Sequence, residues 1–282
     1  MISAATLRHT RYVLGENPLT VVAFSLFLLM VVLALFGPFI VPYDPLASSA
    51  SRLQPPSWAH WFGTDHLGRD VLSRVIIATR LDLLIAVSAV ALSFIAGSVI
   101  GCLAGFYGGW TDRVISRCVD TVMAFPLFVL AMGIVAVLGN SVANVIYATA
   151  IINLPFYARV ARAEISVRRS AGFAAAAKVA GNSDLRVLAL HLYPNILPQM
   201  MVQLSLNMGW AILNAAGLSF IGLGVRPPTP EWGIMVAEGA EYIVSGEWWL
   251  VLFPGAALML AVFCFNLMGD GLRDLIDPRR RT

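Results

Sequence analysis

Apolar residues in this chain fall in long unbroken runs rather than in alternating or simply amphipathic patterns. The first run, 19–41, is apolar almost throughout. Its 23 residues, at about 1.5 Å of helical rise each, extend roughly 35 Å and can cross a bilayer core of about 30 Å. Five further runs predict spans at 81–107, 119–138, 142–163, 196–225 and 248–268. The third carries Asp120 at its start and Pro126 inside. The fourth is the most polar, with Asn144, Asn153, Pro155 and Arg159. The expected fold class is therefore an all-α integral membrane protein of six transmembrane helices.

Composition agrees with the pattern. Hydrophobic residues make up 59% of the 282 and charged residues 12%, with a mean hydropathy of +0.78. A soluble globule could not cover that much apolar surface with a polar exterior. Three cysteines (Cys102, Cys118 and Cys264) are too few for a disulfide scaffold. The wealth of Leu, Val, Ile and Phe excludes disorder. Residues 19–41 are too long for a cleaved signal peptide, and Pro42-Tyr43-Asp44-Pro45 follows where a small-residue cleavage site would be needed. Lipid is the expected surroundings. Nucleic acid is not, because the basic residues are scattered through short loops and the two ends.

Charge also orients the spans. With the N-terminus placed in the cytoplasm, 14 basic residues fall inside, among them Arg8, Arg11 and the final run 279–281, and five fall outside. That asymmetry predicts both termini inside. The resulting organisation is a cytoplasmic segment 1–18, a first helix 19–41 and an outer loop 42–80. A core follows at 81–269, with an inner loop 164–195 and an outer loop 224–247, and then a cytoplasmic tail 270–282.

The inner loop 164–195 has its own pattern. Residues 168–180 are alanine-rich and predict a helix. Gly181 follows where a helix end wants a left-handed residue. Asn182-Ser183-Asp184 offers a cap for a second helix at 185–191, which Pro194 and Pro198 should stop. The loop reads as helix, turn, helix: either a surface hairpin or a docking element for a cytoplasmic partner.

Other positions carry narrower expectations. Ala89, Ser93, Gly97, Gly101 and Gly105 lie four apart and form a small-residue packing stripe, against either this chain or a partner. Gln199, Gln203, Asn207, Trp210 and Asn214 share one face of the fifth span. They suit either interhelical hydrogen bonds or a translocation path. Asp82 is expected to pair with Arg80 and Asp120 with Arg117. Glu231, Glu238, Glu241 and Glu247 should be solvated acids on the outer face, or a docking surface, with Trp232, Trp248 and Trp249 at headgroup level. His9, His60, His66 and His191 should lie outside the spans without metal-ligand spacing. There is no glycine loop ending in Gly-Lys-Ser/Thr, so ATP binding by this chain is not expected. No nucleophile, base and orienter set supports an enzyme. An ion-driven carrier would want intramembrane carboxylates or paired repeats, and none is evident.

Several segments together resemble one family. Ala175-Ala176-Ala177, three residues, Gly181 and then Ile196-Leu197-Pro198 are similar to the coupling loop of ABC-importer permeases. The family pattern has Glu where this chain has Ala175. The run from Phe62 to Arg74 (FGTDHLGRDVLSR), Tyr43-Asp44-Pro45, the run from Pro227 to Gly233 and that from Asn266 to Asp274 resemble the C-type permeases of dipeptide, oligopeptide and nickel importers. The resemblance implies a type I importer permease fold and no catalysis in this chain. It implies a B-type permease as heterodimer partner, two cytoplasmic ATPase subunits that bind ATP and Mg, and an extracytoplasmic substrate-binding protein. It places Ala175, Ala176, Ala177, Lys178, Gly181, Asn182, Ser183, Asp184 and Arg186 in the loop that meets an ATPase. The implied cargo is a di- or oligopeptide, with nickel or a nickel chelate as the alternative.

Overall fold

A computed structural model describes residues 18–276. Arg8, His9, Arg11 and the basic run 279–281 lie outside the described residues. Helices in chain order are α1 (Pro18–Ile40), α2 (Val71–Tyr107), α3 (Gly109–Met123), α4 (Leu127–Leu138) and α5 (Val142–Arg168). They continue with α6 (Gly172–Val179), α7 (Tyr193–Phe220), α8 (Trp232–Ala240) and α9 (Trp249–Ile276). Among the described residues there is no strand beyond one isolated bridge, Thr64 with Asp70.

The first helix shows how lipid and protein faces are written. Thr20, Ala23, Met30, Ala34 and Gly37 are buried, at helical steps that make one narrow seam. Leu19, Leu28, Leu35 and Phe39 point outward, where hydrocarbon is the solvent that suits them. The seam packs on α2 and α9.

Among the described residues, four helices are long and apolar enough to cross a membrane: α1, α2, the continuous stretch Asp184–Phe220, and Trp249–Gly271. The predicted third span is two helices, α3 and α4, meeting at 87° across Ala124-Phe125-Pro126. Taken as one span, this bent pair makes a fifth. Pro126 has no amide hydrogen to continue the ladder, which is why the break falls there. The predicted fourth span, α5, has 27 residues and is long enough at about 40 Å. Its Asn, Arg and Glu content keeps it out of the apolar set. Protein surrounds much of it, since it packs on α2, α7 and α4.

Two other boundaries differ from expectation. The second span starts at Val71, not 81, because Asp70 caps it through Ser73 N at 2.8 Å. The hairpin's second helix does not stop at Pro194 and Pro198. Asp184–Arg186 leads into a π-helical segment, Val187–Leu192, that runs straight into α7. The wider register loosens the carbonyls ahead of Pro194 from the tight α ladder, so the ring is accommodated rather than ejected.

The end of the bundle opposite the hairpin, the expected outer end, is closed by the segment before α2 together with α8. Trp249 Nε1 donates to Thr64 O at 3.3 Å, and Trp232 Nε1 to Val75 O at 3.1 Å. Trp232 is 2% exposed and Trp249 6%, so of the three tryptophans expected at headgroup level only Trp248 is exposed. Both buried indoles find carbonyl partners, as buried indoles require.

Candidate functional site

Eight-residue helices are marginal alone, so α6 needs tertiary support. Ala174 and Ala177 supply it by burying against the cluster that holds Val187, Leu188 and Leu192. Alanine at those positions lets the two arms approach closely. Gly181 follows with φ +84°, a conformation that costs any residue with a Cβ. Both the backbone N–H and the side-chain amide of Asn182 donate to Ala177 O, at 3.2 and 2.9 Å. The Ser183 hydroxyl accepts from Arg186 N at 3.4 Å and starts the second arm. Lys178 Nζ lies 3.0 Å from Asp184 Oδ1 and 5.2 Å from the Phe106 ring centroid. The hairpin is therefore tied across its turn and onto the end of α2.

Its outer face is free. Ala175, Ala176, Lys178, Gly181, Ser183, Asp184 and Arg186 are all exposed, and Asn182 is half-buried. Ala175 is exposed, so none of the described residues requires a carboxylate there. Arg169, which sequence reasoning passed over, donates through Nη1 to Gly105 O and Phe106 O at 3.3 and 3.2 Å. It closes the carbonyl end of α2 and fixes the hairpin's base. A cation near a helix C-terminus was the available signal.

The small-residue stripe packs inside this chain. A Cβ on Gly97 would lie 2.7 Å from Leu154 O, on Gly101 2.2 Å from Ala158 O, and on Gly105 2.6 Å from Arg162 O. The three glycines thus meet carbonyls that also step by four along α5. Ser93, 1% exposed, bonds back to Ala89 O at 2.9 Å. Any larger side chain would push α5 away.

The amide stripe divides. Gln199 and Trp210 are exposed and Gln203 is half-buried, whereas Asn207 and Asn214 face the interior. Gln203 Nε2 donates to Asn207 Oδ1 at 3.0 Å, and Asn214 Nδ2 to Trp210 O at 2.8 Å. The five residues do not share one open wall.

Neither expected local ion pair forms. Asp120 meets Arg159 at 2.7 Å, not Arg117, and Arg162 takes Asp112 with two nitrogens. Asp82 is 2% exposed and has no arginine partner among the described residues. Its carboxyl lies beside that of Glu231, and its Oδ2 accepts from Trp232 N at 3.2 Å. Glu231 is wholly buried and caps α8, accepting from Gly233 N and Ile234 N at 2.9 and 2.8 Å. Burial holds the Glu231 carboxyl above the ordinary glutamate range. Glu238 is likewise no solvated acid: it meets Arg69 at 3.3 Å and Arg74 at 3.5 Å. Asp65 completes that cluster, 2.6 Å from Arg69 Nε. Of the four glutamates expected on an acidic outer face, only Glu241 is exposed, with Glu247 half-buried. His60 is taken by Asp70 at 2.9 Å, and His191 falls in the π-helical segment. Among the described residues no group of three or more His, Cys, Asp and Glu could hold a metal.

Comparison with known proteins decides what this arrangement belongs to. Residues 97–282, which include α5, the hairpin and α7, match the family described as binding-protein-dependent transport system inner membrane component. The chain belongs to this family. Residues 7–56 match the N-terminal TM domain of oligopeptide transport permease C. The permease is 44% identical over 269 residues to the probable D,D-dipeptide transport system permease protein DdpC of Escherichia coli (strain K12), covering 95% of this chain and 90% of that protein. It is 42% identical over 270 residues to the dipeptide transport system permease protein DppC of Alkalihalophilus pseudofirmus, covering 95% and 88%. Against the glutathione transport system permease protein GsiD of Pectobacterium atrosepticum the identity is 39% over 264 residues, covering 93% and 87%. The permease is thus a multi-pass inner-membrane transport subunit of an ABC importer, not an enzyme.

Proposed function

We propose that this permease is the C-type half of the pore of a di- or oligopeptide importer. The observation that carries the reading is the hairpin: a short, rigidly tied helix with an exposed face, continuous through a π-helical joint with a long helix of the bundle. The similarity to dipeptide permeases supports a peptide cargo. In this reading a B-type permease completes the pore. Two ATPase subunits bind ATP and Mg, and a binding protein delivers the peptide from outside. Both termini are cytoplasmic, which puts the hairpin on the ATPase side.

Ala175, Ala176, Lys178, Gly181, Ser183, Asp184 and Arg186 then form the surface that an ATPase pushes. The push enters α7 with no loop between, and reaches α2 through Arg169 and the glycine seam. Gln199, Gln203 and Trp210 offer hydrogen bonds and an aromatic face to a passing peptide backbone without a charge trap. Asn207 and Asn214 support that helix from within.

The deciding experiment isolates the chain from its native membrane in mild detergent, identifies its companions, and measures uptake of labelled dipeptides with the companion ATPase intact or inactivated. Recovery with a second permease and ATPase subunits, and uptake that stops with the ATPase, support the proposal. Recovery alone, with uptake indifferent to ATPase loss, points to an ion-driven carrier instead.

A further inference from the structure

Between α3 and α5 runs a groove of about 430 Å³, at the hairpin end of the bundle. Its polar lining is Ser116 and Asp120 from α3, and Arg159 and Arg162 from α5. Asp112, Ser116 and Asp120 step by four along one helix and face Arg162 and Arg159 on the other. The two ion pairs across it differ in kind. Arg162 is closed: Nη2 lies 2.7 Å from Asp112 Oδ2, and Nε takes the other carboxylate oxygen. Arg159 is open: only Nη2 is engaged among the described residues, with Asp120 Oδ1 at 2.7 Å. Both of its side chains are 51% exposed. A guanidinium has five donors in a fork, and a carboxylate has room for several bonds. Most of that capacity is left unused among the described residues, in side chains that line the groove.

A lone arginine would take any anion. A carboxylate beside it repels an anion unless the ligand brings a positive charge of its own. The chemistry that fits is a zwitterion. We propose that the Arg159–Asp120 pair is a binding station for the charged ends of a short peptide, the guanidinium receiving its carboxylate and Asp120 its ammonium. The proposal rests on the reading of the chain as a peptide permease. The pair opens to receive the peptide and closes behind it, exchanging one set of opposite-charge contacts for another. Such an exchange holds the cargo without trapping it. A zwitterionic lipid headgroup offers the same ammonium and anion, so the test separates the two.

The test uses the assembled transporter in proteoliposomes, with Cys118→Ser and a reporter thiol in the groove at Ser116→Cys, or Ile115→Cys should the first fail to assemble. Maleimide labelling is timed during ATP turnover, with and without a free dipeptide, in vesicles made with and without phosphatidylethanolamine. The expected result is that dipeptide slows labelling about fivefold in either lipid and that Arg159→Gln abolishes the protection, a tenfold loss of occupancy being about 1.4 kcal/mol. Unprotected labelling in vesicles that do accumulate dipeptide overturns the station, as does protection that survives Arg159→Gln. Protection by phosphatidylethanolamine alone, with none added by peptide, makes it a lipid site and overturns it too. Absence of ATP-dependent dipeptide uptake by the unmutated transporter sinks the peptide-permease reading instead.

Discussion

The two ends of the bundle solve opposite problems. At the outer end, charge is buried and tied: Asp65, Arg69, Arg74 and Glu238 interlock, and Asp82 and Glu231 share a site beneath Trp232. At the hairpin end, half of α6 is alanine, and its one lysine is held by contacts that water reaches. Buried charge is stiff because any displacement strands an unpaired ion. Exposed charge yields at little cost. The end opposite the hairpin is built to stay as it is, and the hairpin end keeps an exposed face, which in the proposed reading an ATPase grips.

Substitutions at the two ends should therefore fail differently. Arg69→Ala should have the largest effect on stability, about 3–5 kcal/mol, because it leaves the buried Asp65 and the half-buried Glu238 with Arg74 alone, at 3.7 and 3.5 Å; thermal unfolding in detergent measures it. Gly101→Ala tests the seam that joins the ends. Its Cβ meets Ala158 O, and overpacking of this kind costs about 1–3 kcal/mol, read in the same assay.

The carboxyl pair predicts a pH effect. A carboxyl raised by burial contributes its full stability below the ordinary glutamate range and loses it as pH rises through the raised value. The melting temperature should fall by a few degrees as pH rises above the ordinary glutamate range. Glu231→Gln keeps the shape, removes the acid that burial raises and should flatten that fall. An unchanged slope in this variant would show that Glu231 does not titrate in that range.

Gly181→Leu forces a side chain into a left-handed position, at about 1–2 kcal/mol. Its stability cost is modest, yet peptide uptake should be lost while insertion and partner recovery persist. Wild-type uptake by this variant would remove the hairpin from the coupling role. Lys178→Ala should do least, about 0–1 kcal/mol, visible only as a small shift in melting temperature.

What the sequence revealed follows the range of the interactions. The bounds of α1 fall within one residue of those expected, because a long apolar run has one solution in lipid. Gly181 and Ser183 were legible since a turn and a cap are local. The stripe from Ser93 to Gly105 showed that something must come close, and the structure identifies it as α5. The charge pairs were misread because proximity along the chain suggested Arg80 for Asp82 and Arg117 for Asp120. Their true partners are Glu231 and Arg159, and only folding brings those together. The helix through Pro194 was missed because a π-helical register has no simple sequence signature. Glu231 before Trp232-Gly233 was recognisable as a cap for a short helix, which would have moved it off the acidic surface.

The right-angled break at Pro126 bears on how the chain is made. Helix α4 has 12 residues, about 18 Å of rise, and cannot cross a bilayer of about 30 Å alone. Helix α3 carries two aspartates and two arginines and is no substrate for hydrocarbon. Neither piece can be released into lipid as a finished unit during synthesis. Both must wait for α5, whose Arg159 and Arg162 neutralise Asp120 and Asp112. The order of the chain, in which α5 follows within four residues of α4, keeps that wait short.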